Sequence, residues 1–186
     1  MKTAIKKAKL VKSLGPKQAV KTFQKVLEGY QSLGYSLVGR IVSVGVDVVG
    51  FEKGDLVVAT GAGKAIHAQY VSVPAIYVHS VKNATPEMSF AGVMTIGING
   101  LNKAKVTIGD KVAITGGGLV GELAAQCCIF AGINTEIIEI DKAVISRLQN
   151  YNVKQKLDGE YDAIIIATDT DKTFPLALEH IKFRGS

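Results

Sequence analysis

Three glycines spaced as Gly116-x-Gly118-x-x-Gly121 are the residues of this sequence whose types and spacing indicate chemistry most directly. They follow a β-prone segment, residues 111–115, and precede a helical pattern of apolar residues. A strand that turns through glycines into a helix presents free backbone N–H groups and the positive end of a helix dipole, which attract phosphate. Gly116 permits the tight turn, Gly118 lets phosphates approach the backbone, and Gly121 lets helix and strand pack closely.

A second β-prone segment, residues 135–140, leads into Asp141, which stands 20 residues beyond Gly121. An acid at this spacing accepts hydrogen bonds from the adenosine ribose hydroxyls of a bound dinucleotide. The pattern therefore predicts a dinucleotide site. The alternative is an ordinary βαβ turn in which Asp141 caps the next helix. The residues predicted to lie under the pyrophosphate are Gly116, Gly118, Leu119 and Val120.

The charge of Asp141 indicates which dinucleotide is preferred. A carboxylate there repels the 2′-phosphate of NADP, so the sequence favours NAD. Lys142 is adjacent and softens this preference, which leaves NADP as the second choice. A later apolar strand, residues 161–168, ends with Ala167 and Thr168 at the sheet edge where such folds place the cofactor crevice. The alternative for these two residues is a plain strand end.

Length and composition exclude several classes of protein. A chain of 186 residues with 47% apolar residues can bury a core, as one large domain or two small ones. No uninterrupted apolar run reaches the ~18 residues of a membrane span. The two cysteines, Cys127 and Cys128, are adjacent on a predicted helix and are poor disulfide partners. We interpret them as core thiols of a reducing compartment, which predicts a cytoplasmic location.

The net charge of +6 is concentrated in the first 32 residues, which are predicted to form a basic helical leader. Eight lysines and no acid precede Glu28. A basic segment can bind nucleic acid or an anionic membrane, but this one has no arginine and only one aromatic residue, Phe23, before Glu28. A solvated helical face is therefore favoured, and neither nucleic acid nor a membrane is expected as a partner.

The next part of the chain, residues 33–85, is rich in β-branched residues and glycine. Short β-prone segments with frequent turns predict a small β-barrel or sandwich unit. Thr85-Pro86-Glu87 is typical of a helix start, and the helix is expected to run from Pro86 to about Leu101. From Lys111 onward strands and helices alternate, which predicts a parallel sheet, and Asp171 is expected to cap the last helix. The segments predicted to contain strands are 34–45, 50–59, 67–74 and 76–81.

The segment from Gly34 to Ser186 resembles the medium-chain dehydrogenase/reductase family. The matching motifs follow the family's order along the chain. They are Gly34-Tyr-Ser-Leu-Val-Gly-Arg-Ile-Val-Ser-Val-Gly45, Phe51-Glu-Lys-Gly-Asp-Leu-Val57, Ala68-Gln-Tyr-Val-Ser-Val-Pro74, the helix from Gly92 to Leu101, the glycine loop and Asp141. The resemblance implies an α/β fold, with a partial GroES-like β domain (33–85) before an incomplete Rossmann-type domain (86–186).

The resemblance also implies an activity and a set of site residues. The implied reaction is hydride transfer between a nicotinamide cofactor and a small carbonyl, alcohol or enone-type substrate. Zinc-dependent members carry a His-Glu pair where this chain has Tyr35 and Ser36, so the zinc-independent branch is indicated, with no metal ligand. Tyr35 is a candidate proton donor, with a packed tyrosine as the alternative. Thr95 would line the nicotinamide side, with helix packing as the alternative.

The segments that the resemblance lacks at both ends leave a second function open. The family's first strands and its C-terminal part have no counterpart in the sequence. The alternative to an active oxidoreductase is a truncated, non-catalytic dinucleotide-binding module, or a fragment of a larger two-domain oxidoreductase. The last strand of the parallel sheet would have an unpaired edge, which favours a homodimer.

Overall fold

The structure, a computed structural model, describes residues 32–183 and residue 185. The helices predicted for the basic leader lie outside these residues. Within the described part of the chain, no helix is both long and apolar enough to cross a membrane. The strands are β1 (Ser36–Arg40), β2 (Leu56–Thr60), β3 (Val78–Ser80), β4 (Lys111–Thr115), β5 (Asn134–Ile138), β6 (Val153–Lys154) and β7 (Ala163–Ile166). The α-helices are α1 (Ala91–Ala104), α2 (Leu119–Phe130), α3 (Lys142–Arg147) and α4 (Thr173–His180).

The first sheet is antiparallel, with strand order β1-β2-β3. Its central strand β2 contributes Val57, Val58 and Ala59 to the core. The prediction of a strand within residues 67–74 is wrong, because this segment is irregular and mostly exposed. β1 and β3 are the edge strands of this sheet, and in the described structure residues 67–74 pair with neither of them. The strand predicted within 76–81 is shortened to β3 by a 3-10 turn at Ala75–Tyr77.

The second sheet is parallel, with strand order β6-β5-β4-β7. The alternating pattern from Lys111 onward predicted this parallel arrangement, and the α/β fold class is confirmed. Central strand β4 is flanked by β5 and β7, and its Val112 and Ile114 are fully buried. They pack with Ala124, Ala125 and Cys128 of α2. The placement of Cys128 in the core agrees with its interpretation as a core thiol.

The link between the two sheets runs through α1. The single helix predicted from Pro86 divides into a 3-10 turn, Pro86–Phe90, followed by α1. A Cβ atom placed at Gly97 would lie only 2.8 Å from Cα of Ala124, so α1 and α2 cross at close range. At the other end of α1, the Gly92 N–H donates to Ser36 Oγ at 3.0 Å, which ties the helix to β1.

The last helix begins later than the sequence predicted. Lys172, not Asp171, occupies the N-cap position of α4, and no side chain caps the helix. Pro175 lies in its first turn, where the missing N–H of proline costs nothing. Tyr161 then pairs in parallel with Ile181, just beyond α4.

Candidate functional site

The glycine loop joins β4 to α2 at the carboxyl edge of the parallel sheet. Gly116 has a φ of +94°, a left-handed conformation that favours glycine, and its N–H donates to the Ile138 carbonyl at 2.8 Å. Gly118 occupies the N-cap position of α2 without a side-chain cap. The N–H groups of the first turn of α2 therefore remain available to an anion.

The three motif glycines face different surroundings. A Cβ atom at Gly121 would overlap the Gly116 carbonyl oxygen, so this position needs glycine for the loop to close on the helix. A Cβ atom at Gly118 would have no heavy atom within 4 Å, and this residue is exposed. The loop thus has an open space above Gly118, where a Cβ would project. This geometry fits a pyrophosphate lying against the backbone.

Glu139, which the sequence reasoning missed, lies closest to the loop among the acids that follow β5. Its carboxylate accepts hydrogen bonds from the N–H groups of Gly117 at 2.7 Å, Ile140 at 2.7 Å and Asp141 at 2.8 Å. Burial raises the pKa of Glu139, but these three donors outweigh it and hold the pKa below its usual value. The signal was available, because Glu139 is the first residue after the apolar run of β5.

Asp141 has the position that its alternative reading predicted. It is the N-cap residue of α3, and its Oδ1 accepts a hydrogen bond from the Ala143 N–H at 2.8 Å. Its side chain is thereby partly committed to the helix, although the residue is exposed at the same edge of the sheet. Lys142 follows as the exposed first residue of α3. A cap and a cofactor ligand are compatible, because a carboxylate has a second oxygen.

Ala167 and Thr168 lie against the glycine loop, at the carboxyl end of β7. A Cβ atom at Gly116 would be 2.8 Å from Cγ2 of Thr168 and 3.1 Å from the carbonyl oxygen of Ala167. The Ala167 N–H donates to the Thr115 carbonyl at 2.8 Å. The Thr168 hydroxyl is 3.0 Å from that of Thr173 at the start of α4. The structure thus brings these two residues together with the loop.

Tyr35, Ser36 and Thr95 meet around Gly92 in the first turn of α1. A Cβ atom at Gly92 would lie 2.9 Å from Cβ of Ser36 and 3.3 Å from Cδ2 of Tyr35. The Thr95 hydroxyl donates to the Gly92 carbonyl at 2.7 Å. Tyr35 is 46% exposed, so its ring rests on the helix while part of it remains accessible.

An apolar cavity of about 1010 Å³ lies between the three-stranded sheet and helices α1 and α2. Leu119 links it to the glycine loop, because this residue is both the first of α2 and part of the lining. Thr95 also lines the cavity, so two of the predicted site residues share it. A cavity of this size beside an anion-binding loop is suited to a small-molecule ligand.

Comparison with solved structures gives the fold a name. The alcohol dehydrogenase TADH from Thermus sp. ATN1 matches with a TM-score of 0.68 and 22% identity, over 82% of this chain and 59% of that one. The quinone oxidoreductase from Coxiella burnetii matches with a TM-score of 0.69 and 22% identity, over 87% of this chain and 56% of that one. The fold is that of the medium-chain dehydrogenase/reductase proteins.

A third structure with the medium-chain fold was solved with a dinucleotide. CAD from Helicobacter pylori, complexed with NADP(H), matches with a TM-score of 0.67 and 20% identity, over 84% of this chain and 58% of that one. This chain therefore spans a little over half the length of the three structures. No protein-family model and no curated protein matches the sequence. The similarity to the medium-chain fold thus rests on three-dimensional structure and on the motifs described above.

Proposed function

We propose that this chain binds NAD, with NADP as the weaker ligand, and belongs to a zinc-independent oxidoreductase. The reaction is hydride transfer between the nicotinamide and a small carbonyl, alcohol or enone-type substrate. One observation carries the proposal: the uncapped N-terminus of α2 follows a glycine loop with open space above Gly118. The medium-chain fold of the rest of the chain favours this function over other phosphate-binding functions.

Each part of the dinucleotide has candidate residues. Gly121 keeps the loop closed on the helix, and Ala167 and Thr168 form the opposite wall of the crevice. The adenosine ribose is assigned to the two acids after β5, Glu139 and Asp141. Either carboxylate repels a 2′-phosphate, which favours NAD, while Lys142 moderates that preference. The groups assigned to the pyrophosphate are the backbone N–H groups of Gly118, Leu119 and Val120, beside Gly116.

The chemistry itself is supplied by the nicotinamide, which gives or takes the hydride when bound. The chain's contribution is to orient the cofactor and to handle a proton. Tyr35 is the candidate proton donor, because its ring lies beside α1 and it is partly accessible. Thr95 is assigned to the nicotinamide side because it lines the apolar cavity together with Leu119.

Zinc independence is part of the proposal and rests on residue types. Tyr35 and Ser36 stand where the zinc-dependent proteins carry a His-Glu pair, and neither a phenol nor a hydroxyl belongs to the usual zinc ligands. The Ser36 oxygen already accepts the Gly92 N–H. The donor set therefore does not fit a zinc ion at this position.

A non-catalytic dinucleotide-binding module is the second candidate function. The span of the chain, a little over half of the structures it matches, favours it. For this second candidate we propose the same three segments: the leader to residue 32, the β domain 33–85 and the Rossmann-type domain from residue 86. A homodimer, or a longer protein, would then supply the rest of the substrate site. The cytoplasm remains the proposed location.

The decisive experiment is titration of NADH and NADPH into the purified protein, followed by nicotinamide fluorescence. The chain has no tryptophan, so the nicotinamide signal is free of tryptophan emission. Gly118→Val should abolish binding without loss of stability, because its Cβ meets no protein atom. Gly45→Val is the matched control, since Gly45 is exposed, makes ordinary contacts and lies far from the loop in sequence. Absence of binding of either dinucleotide at millimolar concentration would refute the proposal.

A further inference from the structure

The floor of the apolar cavity is built from both halves of the described chain. Val58 of β2 and Leu123 of α2 are buried, and Met94 of α1 lies between the same walls. Methionine adapts its shape to different apolar ligands. The floor is therefore suited to the apolar body of a ligand and offers no specific charge to it.

The charged groups of the cavity lie among the residues that line it, and carboxylates outnumber cations. Besides the imidazole of His79, the lining holds three charged side chains: Glu87 and Glu122 are the acids, and Arg147 is the basic residue that balances one of them. None of the three forms an ion pair within the part of the chain that the structure describes. Glu87 is exposed, and a hydrogen bond with Thr85 lowers its pKa, so it is ionised at neutral pH.

Glu122 has a special position among these groups. It lies in the first turn of α2, directly after Gly121, and its N–H donates to the Gly118 carbonyl at 2.8 Å. Glu122 also lines the apolar cavity, so the residue belongs both to the loop end of α2 and to the cavity wall. A dinucleotide bound at the loop would add the two negative charges of its pyrophosphate on the same side. Because the nicotinamide of NADH is uncharged, the field in the cavity would become more negative with NADH bound.

We propose that Glu87 and Glu122 determine substrate specificity, so that the apolar cavity takes ligands with an apolar body and an uncharged or cationic head and rejects carboxylates and other anions. This inference rests on the proposed function, because the bound dinucleotide supplies part of the negative field. Repulsion between like charges is a standard means of excluding unwanted ligands.

The test compares three probes of equal length, octanamide, octanoate and octylammonium, by isothermal titration calorimetry with the full chain saturated with NADH. Octanamide and octylammonium should bind at least about tenfold more tightly than octanoate. Glu122→Gln should reduce this ratio to about threefold, and Glu87→Gln should act in the same direction. Arg147→Gln should weaken octanoate binding further. Glu160→Gln is the control, because Glu160 is an exposed acid outside the cavity lining.

The outcomes separate this inference from the proposed function. If NADH binds but octanoate binds as well as octanamide, the inference is wrong and the cofactor site stands. The same conclusion follows if none of the probes binds, or if Glu160→Gln changes the ratio as much as Glu122→Gln. If NADH itself does not bind, the proposed function fails, and the probe titrations without cofactor show whether the cavity alone discriminates by charge.

Discussion

Glu139 and Asp141 are two residues apart, yet their carboxylates contact different backbone donors. Glu139 accepts the Gly117 N–H inside the glycine loop, whereas Asp141 accepts the Ala143 N–H of α3. Motif spacing alone selected Asp141. The structure adds Glu139 because β5 ends at Ile138, so that the next side chain turns toward the loop. Both acids are candidates for contact with the adenosine ribose, and mutation can distinguish their contributions.

We expect Glu139→Gln to weaken NADH binding about tenfold or more and to reduce the preference over NADPH, because both carboxylate oxygens accept backbone N–H groups around the loop and the amide nitrogen of glutamine cannot replace one of them. Asp141→Asn should weaken NADH binding less than Glu139→Gln does, since asparagine keeps the helix cap and one acceptor oxygen. Both variants are titrated with NADH and NADPH, with thermal unfolding as a check of folding. A larger effect of Asp141→Asn would return the ribose to Asp141, as the sequence predicted.

The elements of the parallel sheet were largely predictable, because periodicity and glycine punctuation determine them locally. The strand at residues 111–115 and the helix after the glycine loop follow from such patterns. The segment 67–74 shows where local reasoning fails. Its residues favour a strand, but a strand forms only where the backbone pairs with a neighbour, and residues 67–74 pair with neither edge strand of the β1-β2-β3 sheet. Likewise, aspartate is a favourable N-cap residue, which is why Asp171 was predicted to cap the last helix. The structure places Lys172 at the N-cap position instead, and α4 begins at Thr173.

The crossing of α1 and α2 gives a prediction at the scale of elements. Gly97→Ala should destabilise the protein by roughly 1–3 kcal/mol, because the new methyl group would overlap the backbone of Ala124. Gly100→Ala in the same helix is the matched control. Its Cβ would make ordinary contacts with Ile165 at 3.7 Å, so the gain in helix propensity of about 1 kcal/mol should dominate. Urea unfolding measures both variants, and equal effects would contradict the close crossing.

The site as a whole was less predictable than its glycine loop. The sequence indicated Leu119 and Thr95 separately, but their common place in the apolar cavity depends on how the two sheets pack across α1 and α2. Glu87 and Glu122 carry no sequence signal, since an acid near a helix start is usually a surface residue. Their relation arises from the fold, because a 3-10 turn and the first turn of α2 line one cavity.

At the scale of the whole molecule, a buried polar network joins most of the parallel sheet. Glu136 of β5 is 6% exposed and accepts a hydrogen bond from the Tyr161 hydroxyl at 2.7 Å. The ammonium groups of Lys111 in β4 and Lys154 in β6 lie 3.5 Å and 3.2 Å from its carboxylate. Burial raises the pKa of Glu136, but Tyr161 and the two lysines outweigh it and hold the pKa below its usual value. Burial and the hydrogen bond to Glu136 raise the pKa of Tyr161 to about 12.

The pKa shifts of Glu136 and Tyr161 predict that the free energy of unfolding is constant near neutral pH and falls at both acid and alkaline pH. The folded pKa of Glu136 lies below the unfolded value of about 4.3, so its contribution is complete above that pH and is lost as the pH falls through the lowered pKa. Tyr161 has the opposite sign: its contribution is complete below pH 10 and is lost as the pH rises toward its folded pKa of about 12. Urea unfolding across this range measures both limbs.

Tyr161→Phe should remove much of the alkaline limb and lower stability at neutral pH by about 1–3 kcal/mol, because Glu136 loses its buried donor. Lysine titration also destabilises proteins in this range, so a second tyrosine is needed as a reference. Tyr70 is 71% exposed, and Tyr70→Phe should leave the pH profile unchanged. An alkaline limb of equal size in both variants would show that the lysines alone cause it. A smaller limb in Tyr161→Phe alone would identify Tyr161 as the group that joins the sheet's strands through Glu136.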